Sequence, residues 1–233
     1  MDDSRPDRIL LTGFEPFGGD GHNPSWPAAR DAARTLRGQE VDAVAVRLPC
    51  TFGGSTEALE QALIEHRPGI VIACGLAGGR AQVAVERVAV NLQDARIPDN
   101  AGCQPAGRPV DDAGPAAYFS SLPVKRIVAA LRGARIPAEL SLSAGSFVCN
   151  HVFYEVMRRC TAAPAGGGVH TAGFIHVPWD EQAPRQAAAD PSSSTRPALP
   201  TLPAAELSRA LVIAAREALR TASDLDEAAG ALY

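Results

Sequence analysis

Pro68-Gly69-Ile70-Val71-Ile72-Ala73-Cys74-Gly75-Leu76-Ala77-Gly78-Gly79 decides the fold class. Ile70–Cys74 is apolar without interruption, with no polar residue at alternate positions, as expected of a strand buried on both faces. Pro68-Gly69 before it and the Gly-rich turn after it fix its length at that of a strand, too short for a buried helix. Just upstream, Ser55–His66 has helical spacing, with Leu59, Leu63 and Ile64 on one face. Buried strands that follow helices indicate a sheet whose faces are covered by helices.

The same alternation runs outward in both directions. Arg8–Thr12 reads as a short strand entering a loop from Gly13 to Pro24. Ser25 is placed to cap a helix reaching about Arg37, with Pro27 tolerated in its first turn. Val41–Leu48, Gln82–Leu92, Glu139–Ser143 and Thr171–Val177 read as strands. Val124–Leu131, Asn150–Arg159 and the amphipathic Ala204–Leu219 read as helices. Gln93–Pro115 lacks a period and is assigned as loop. Glu181–Pro203, rich in Pro, Ala and Ser, is expected to be a mobile loop. The reading is α/β, with all 233 residues expected to form one domain. Sites in such sheets gather at strand ends, so the loops after Thr12, Cys74, Ser143 and Val177 are the places to search.

Composition narrows the function classes. Hydrophobic residues are 46% and charged residues 21%, a globular balance that excludes disorder along the whole chain. No apolar run approaches the roughly 18 residues of a membrane span. The first residues are polar and acidic, without a secretory pattern, so a cytoplasmic protein is expected. A net charge of −4 argues against nucleic acid as partner. Five widely spaced cysteines with no C-x-x-C pair argue against structural zinc and a disulfide framework.

Three residues stand out chemically. Cys149 lies in Ser143-Ala144-Gly145-Ser146-Phe147-Val148-Cys149-Asn150-His151, where a strand ends and a helix begins. A helix N-terminus stabilises a thiolate, which suits a nucleophile; the alternative is a buried structural cysteine. His176, near the end of an apolar strand, is either a satisfied core histidine or a base at the sheet edge. Glu86 interrupts a run of β-branched residues and must be paired there. The partner is either a nearby Arg or the histidine, which it would orient. Arg96, in Asp94-Ala95-Arg96-Ile97-Pro98-Asp99-Asn100, is a candidate to hold an oxyanion or gate a site, or simply a loop ion pair. Gly75–Arg80 is a weak candidate phosphate cradle.

Together these segments resemble the type I pyroglutamyl peptidases, a family of cysteine peptidases. The resemblance is carried by Leu11–Gly19 (LTGFEPFGG) with Asn23–Trp26 (NPSW), Gly75–Arg80, Glu86–Asn91 with Asp94–Asn100, Gly114–Tyr118, Ala144–His151 and Gly173–Pro178, in family order over residues 8–180. It implies Cys149 as nucleophile, His176 as base, Glu86 as orienting acid, and Asn23 and Arg96 in the site. It further implies an α/β/α sandwich around a mostly parallel, twisted sheet, similar to the purine nucleoside phosphorylase architecture and often assembled as a tetramer. The substrate it implies is a peptide blocked by N-terminal pyroglutamate. A neutral lactam needs an apolar pocket with few hydrogen bonds. Phe14, Phe17 and Phe147 would sandwich its ring and Ile97 and Val148 close over it, unless these side chains are plain core. No metal or organic cofactor is expected. The likeness weakens after Trp179, and Leu76 stands where many members carry Gln. Two other readings stay open: a phosphorolytic enzyme on the same sheet, and a catalytically silent pyroglutamyl-binding protein.

Overall fold

The structure, a computed structural model, describes residues 8–162, 168–183, 199–221 and 223–229. Most of the expected mobile loop, 184–198, lies outside the described residues.

The elements follow the expected alternation: β1 (Ile9–Phe14), α1 (Ser25–Arg37), β2 (Ala43–Leu48), α2 (Phe52–His66), β3 (Ile70–Leu76), β4 (Val83–Glu86), β5 (Val88–Val90), β6 (Ala117–Phe119), α3 (Val124–Gly133), β7 (Ala138–Ser141), α4 (Val148–Ala162), β8 (Thr171–Val177) and α5 (Ala204–Arg220). Six strands form one sheet in the order β2-β1-β3-β8-β4-β7. Four of its five pairings are parallel; β4 runs antiparallel to β8.

Strand side chains alternate between two faces, and each face buries its own cluster. Ile9, Leu11, Ile70, Ile72, Cys74, Val83, Val85, Ile175 and Val177 pack with α1, α3 and α5. Leu10, Phe14, Val71, Ala73, Ala172 and Phe174 pack with α2 and α4. The result is an α/β/α sandwich. Ala28, Ala29, Ala32 and Ala33 of α1 meet Ala210, Ala214, Ala215 and Ala218 of α5 in one cluster. Side chains this small allow close approach of the helices and lose little entropy on burial.

Two local expectations are corrected. Gln82–Leu92 is not one strand. β4 ends at Glu86 in the main sheet, and β5 pairs antiparallel with β6 in a separate two-stranded sheet. Apolar residues resume at Val88 directly after Glu86-Arg87, with no Gly or Pro between, so the sequence does not reveal the change of partner. Ser25 does not cap α1. Its hydroxyl accepts from the backbone N–H of Phe14 at 3.0 Å and donates to Oδ1 of Asn23 at 2.8 Å. Those bonds tie the start of α1 to the end of β1, which extends to Phe14.

Candidate active site

Pleat parity assembles the site. Val83 and Val85 face the α1/α3/α5 layer, so Ala84 and Glu86 face α4. By the same rule His176 shares the α4 side with Ala172 and Phe174, and Gly75 shares it with Val71 and Ala73. Register brings them together: Gly75 lies beside His176 in the parallel β3–β8 pair, and Ala84 lies beside His176 in the antiparallel β8–β4 pair. Glu86 is therefore a diagonal, same-face neighbour of His176 across β4 and β8. Nδ1 of His176 and Oε1 of Glu86 are 2.8 Å apart. A carboxylate only accepts, so Nδ1 carries the proton and Nε2 is left able to accept one. Glu86 is fully buried and His176 nearly so.

The alternative partner for Glu86, an Arg, is present as well. Arg80 Nη1 approaches the same Oε1 at 3.2 Å and Oε1 of Glu139 at 3.4 Å, and its Nη2 donates to the Ser143 carbonyl at 2.9 Å. These bonds commit Arg80 to the protein itself. The turn after β3 thus serves an acid and a loop and does not present a free cation to a phosphate.

Cys149 is the second residue of α4, within the first turn, where backbone N–H groups have no partner inside the helix. It is reached through Ser143–Phe147, in which Gly145 has φ +76°, a left-handed conformation that glycine adopts without strain. A Cβ on Gly75 would lie 2.7 Å from Sγ of Cys149 and 2.8 Å from the Phe174 ring, so β3 must carry glycine where the sulfur rests. The helix terminus favours a thiolate, and burial opposes it. Burial pushes the Cys149 thiol well above its ordinary value, with Cys50, Cys74 and Glu86 adding to the effect. Burial therefore favours the neutral thiol, whose proton must leave as it reacts. Cys149 and His176 open into one cleft of about 390 Å³, although among the described residues no hydrogen bond joins them. Such contacts are often long before substrate binds.

Phe17, Ile97 and Phe147 supply apolar wall to that cleft, and Asp94 and Arg96 supply charge. The Phe17 and Phe147 ring centroids are 6.0 Å apart, and Phe52 packs edge-on against Phe147 at 5.5 Å. Phe14 and Val148 are not among the residues that line the cleft. Both are buried in the cluster against which Phe17, Phe147 and Cys149 pack. Asn23 is buried and likewise not among the lining residues, donating to the Glu15 carbonyl and accepting from Ser25. The Asp94 loop is pinned to the cysteine loop by two bonds, Asp94 N–H to the Ser146 carbonyl and the Ser146 hydroxyl to the Asp94 carbonyl.

Sequence reasoning gave no role to two residues beside Cys149. Asn150 is fully buried and copies a strand edge: it accepts from Val90 N–H and donates to the Val90 and Leu92 carbonyls. His151 lies 2.6 Å through Nε2 from the Thr56 hydroxyl and 3.3 Å through Nδ1 from the Gln93 amide, and burial lowers its basicity. The run Cys149-Asn150-His151 was the only signal for either. Of the other thiols, Cys50 is pushed up to about 12 by burial with Glu15 and Asp99, Cys74 and Cys160 are raised by burial, and Cys103 is exposed. Among the described residues no group of three or more His, Cys, Asp and Glu is placed to hold a metal ion, and no helix is long and apolar enough to cross a membrane.

A sequence profile described as pyroglutamyl peptidase matches residues 7–221. The chain belongs to the pyroglutamyl peptidase family. It is 47% identical over 228 residues to a pyrrolidone-carboxylate peptidase of Cupriavidus taiwanensis, covering 97% of this chain and 99% of that one. It is 46% identical over 226 residues to the protein of the same name from Klebsiella pneumoniae, with the same coverage. Among solved structures, pyroglutamyl peptidase I of Bacillus amyloliquefaciens superposes with a TM-score of 0.81 at 40% identity, covering 94% of this chain and 99% of that one. Pyrrolidone carboxyl peptidase of Thermococcus litoralis gives 0.78 at 35% identity, over 91% and 93%.

Proposed function

We propose that this family member is a cysteine peptidase that removes an N-terminal pyroglutamyl residue from peptides, with Cys149 as nucleophile, His176 as general base and acid, and Glu86 as the group that orients His176. The carrying observation is the buried 2.8 Å contact between His176 Nδ1 and Glu86, with Cys149 opening into the same cleft. The pyroglutamyl ring is a neutral lactam, and walls formed by Phe17, Ile97 and Phe147 suit it without a countercharge.

The steps follow from the atoms present. Nε2 of His176 takes the thiol proton as Sγ of Cys149 attacks the pyroglutamyl carbonyl carbon. The oxyanion is held by backbone N–H groups in the first turn of α4, with Arg96 at the cleft rim. The imidazolium, held by Glu86, gives its proton to the leaving amine as the C–N bond breaks, and a thioester remains. Water, deprotonated by His176, attacks the thioester; pyroglutamate leaves and the thiol is restored. The phosphorolytic reading has no free cation in the Gly75–Arg80 turn to support it. Tetramer assembly and a cytoplasmic location complete the proposal. The first is read by light scattering, where a mass other than four chains would reject it.

The test is release of a fluorescent amine from its pyroglutamyl amide, with wild type and Cys149→Ala side by side. Release by wild type alone is expected. Release by both would remove Cys149 from the chemistry. Release by neither, from folded and reduced protein, would favour the silent binding protein.

A further inference from the structure

Arg80 is drawn into the site from two directions. It stands in the turn after β3, lines the cleft, and keeps 30% of its side chain exposed, yet it reaches a carboxylate with no exposure at all. Arg80 and His176 converge on one oxygen, Oε1 of Glu86, while Oε2 has no partner. Both contacts therefore fall on one side of the carboxylate. The other guanidinium nitrogen of Arg80 holds the carbonyl of Ser143, in the loop that carries the chain from β7 to Cys149. One planar fork therefore spans the acid and the approach to the nucleophile, a geometry that a point-charge ammonium does not reproduce.

The charge balance gives the fork a further consequence. A fully buried carboxylate needs a countercharge. While His176 is neutral, Arg80 is the sole cation on Glu86 among the described residues. When His176 accepts the thiol proton, Glu86 faces two cations. Arg80 thus supports the state in which Nε2 is empty and ready to accept a proton, without abolishing the support Glu86 gives the imidazolium. The other charged or titratable groups around the cleft are Cys149 from α4, Asp94 and Arg96 from the facing loop, and Glu139 from β7, itself on Arg80.

We propose that Arg80 is a positioning residue of the peptidase reaction, fixing the base through Glu86 and the cysteine loop through the Ser143 carbonyl. This rests on the peptidase reading given above. The experiment compares wild type, Arg80→Met and Arg80→Lys in two assays across pH. One is kcat and KM on a pyroglutamyl amide. The other is the rate of Cys149 alkylation by iodoacetamide, followed by peptide mass mapping, with exposed Cys103 as internal control.

Arg80→Met is expected to lower kcat about 10- to 100-fold, a part of the roughly 10²–10⁴ that an aligned general base supplies, with KM within about 3-fold. The acid limb of its kcat/KM profile should move to higher pH, and the pH dependence of Cys149 alkylation should move while that of Cys103 does not. Arg80→Lys should recover part of kcat, because it restores the charge without the fork. Profiles superimposable on wild type in both assays would overturn the proposal. A loss confined to KM would overturn it too, placing Arg80 on the substrate. Should Arg80→Met fail to fold, Arg80→Lys carries the same readouts. Should the wild type cleave no pyroglutamyl amide, the peptidase reading falls, and the alkylation profile still decides whether Arg80 governs Cys149.

Discussion

Gly75→Ala tests whether the sulfur of Cys149 is held in place by the absence of one methyl group. Gly75 is not among the residues lining the cleft, and its backbone is not in a left-handed conformation, so alanine suits it locally. The added carbon meets Sγ at 2.7 Å and the Phe174 ring at 2.8 Å, about 0.7 Å inside the 3.4 Å at which contact becomes ordinary. Phe174 is fully buried between α4 and the sheet and has little freedom to yield, so the displacement falls mainly on the cysteine. A misplacement of about 1 Å at reacting atoms costs on the order of 100-fold, and overpacking of this size costs about 1–3 kcal/mol of stability. The expected variant is folded, melts lower, binds a pyroglutamyl amide with little change in KM, and turns it over about 30- to 100-fold more slowly. Steady-state kinetics beside a thermal melt check this. A kcat within about 3-fold of wild type, in a protein of native fold, would refute the placement of Sγ against β3.

Three further outcomes are expected. Glu86→Gln should lower kcat by roughly 100-fold, less than Cys149→Ala, because an amide oxygen still accepts from Nδ1 of His176 without stabilising its charged form; an unchanged rate would make Glu86 merely structural. Burial lowers the basicity of His151, so the unfolded chain binds its proton near pH 6.5 while the folded chain resists it. Stability should therefore fall as pH drops below about 6.5, by up to ~1.4 kcal/mol per pH unit, and His151→Gln should flatten that slope in urea titrations at pH 7 and pH 5. Asn150→Ala strips partners from Val90 N–H and from the Val90 and Leu92 carbonyls, and should cost about 2–3 kcal/mol in chemical denaturation. A loss under 0.5 kcal/mol would show that water replaces the amide.

The sequence by itself determined the layers and the chemistry on offer. The unbroken apolar run of Ile70–Cys74 and the helical spacing of Ser55–His66 are local properties of burial, and they specify helices over a buried sheet. Cys149 at a strand-to-helix junction, His176 near the end of a strand and Glu86 among β-branched residues were each legible as anomalies. An anomaly marks a residue without naming its partner, and for that reason Glu86 remained divided between an Arg and the histidine.

Only the tertiary structure decided that division, and it chose both partners. Period-two alternation fixes which face a strand side chain takes, but not which strand lies next to it or in which direction. The reversal of β4 against β8 places Glu86 diagonal to His176, and nothing in Val83–Glu86 encodes that reversal. The handover from β4 to β5 at Arg87, the vacancy at Gly75 that receives a sulfur from α4, and the burial of Phe14, Asn23 and Val148 are likewise properties of packing between distant segments. Propensity and pattern act over a few residues, whereas strand order, register and the helix that covers a given strand are set by the free energy of the whole sandwich.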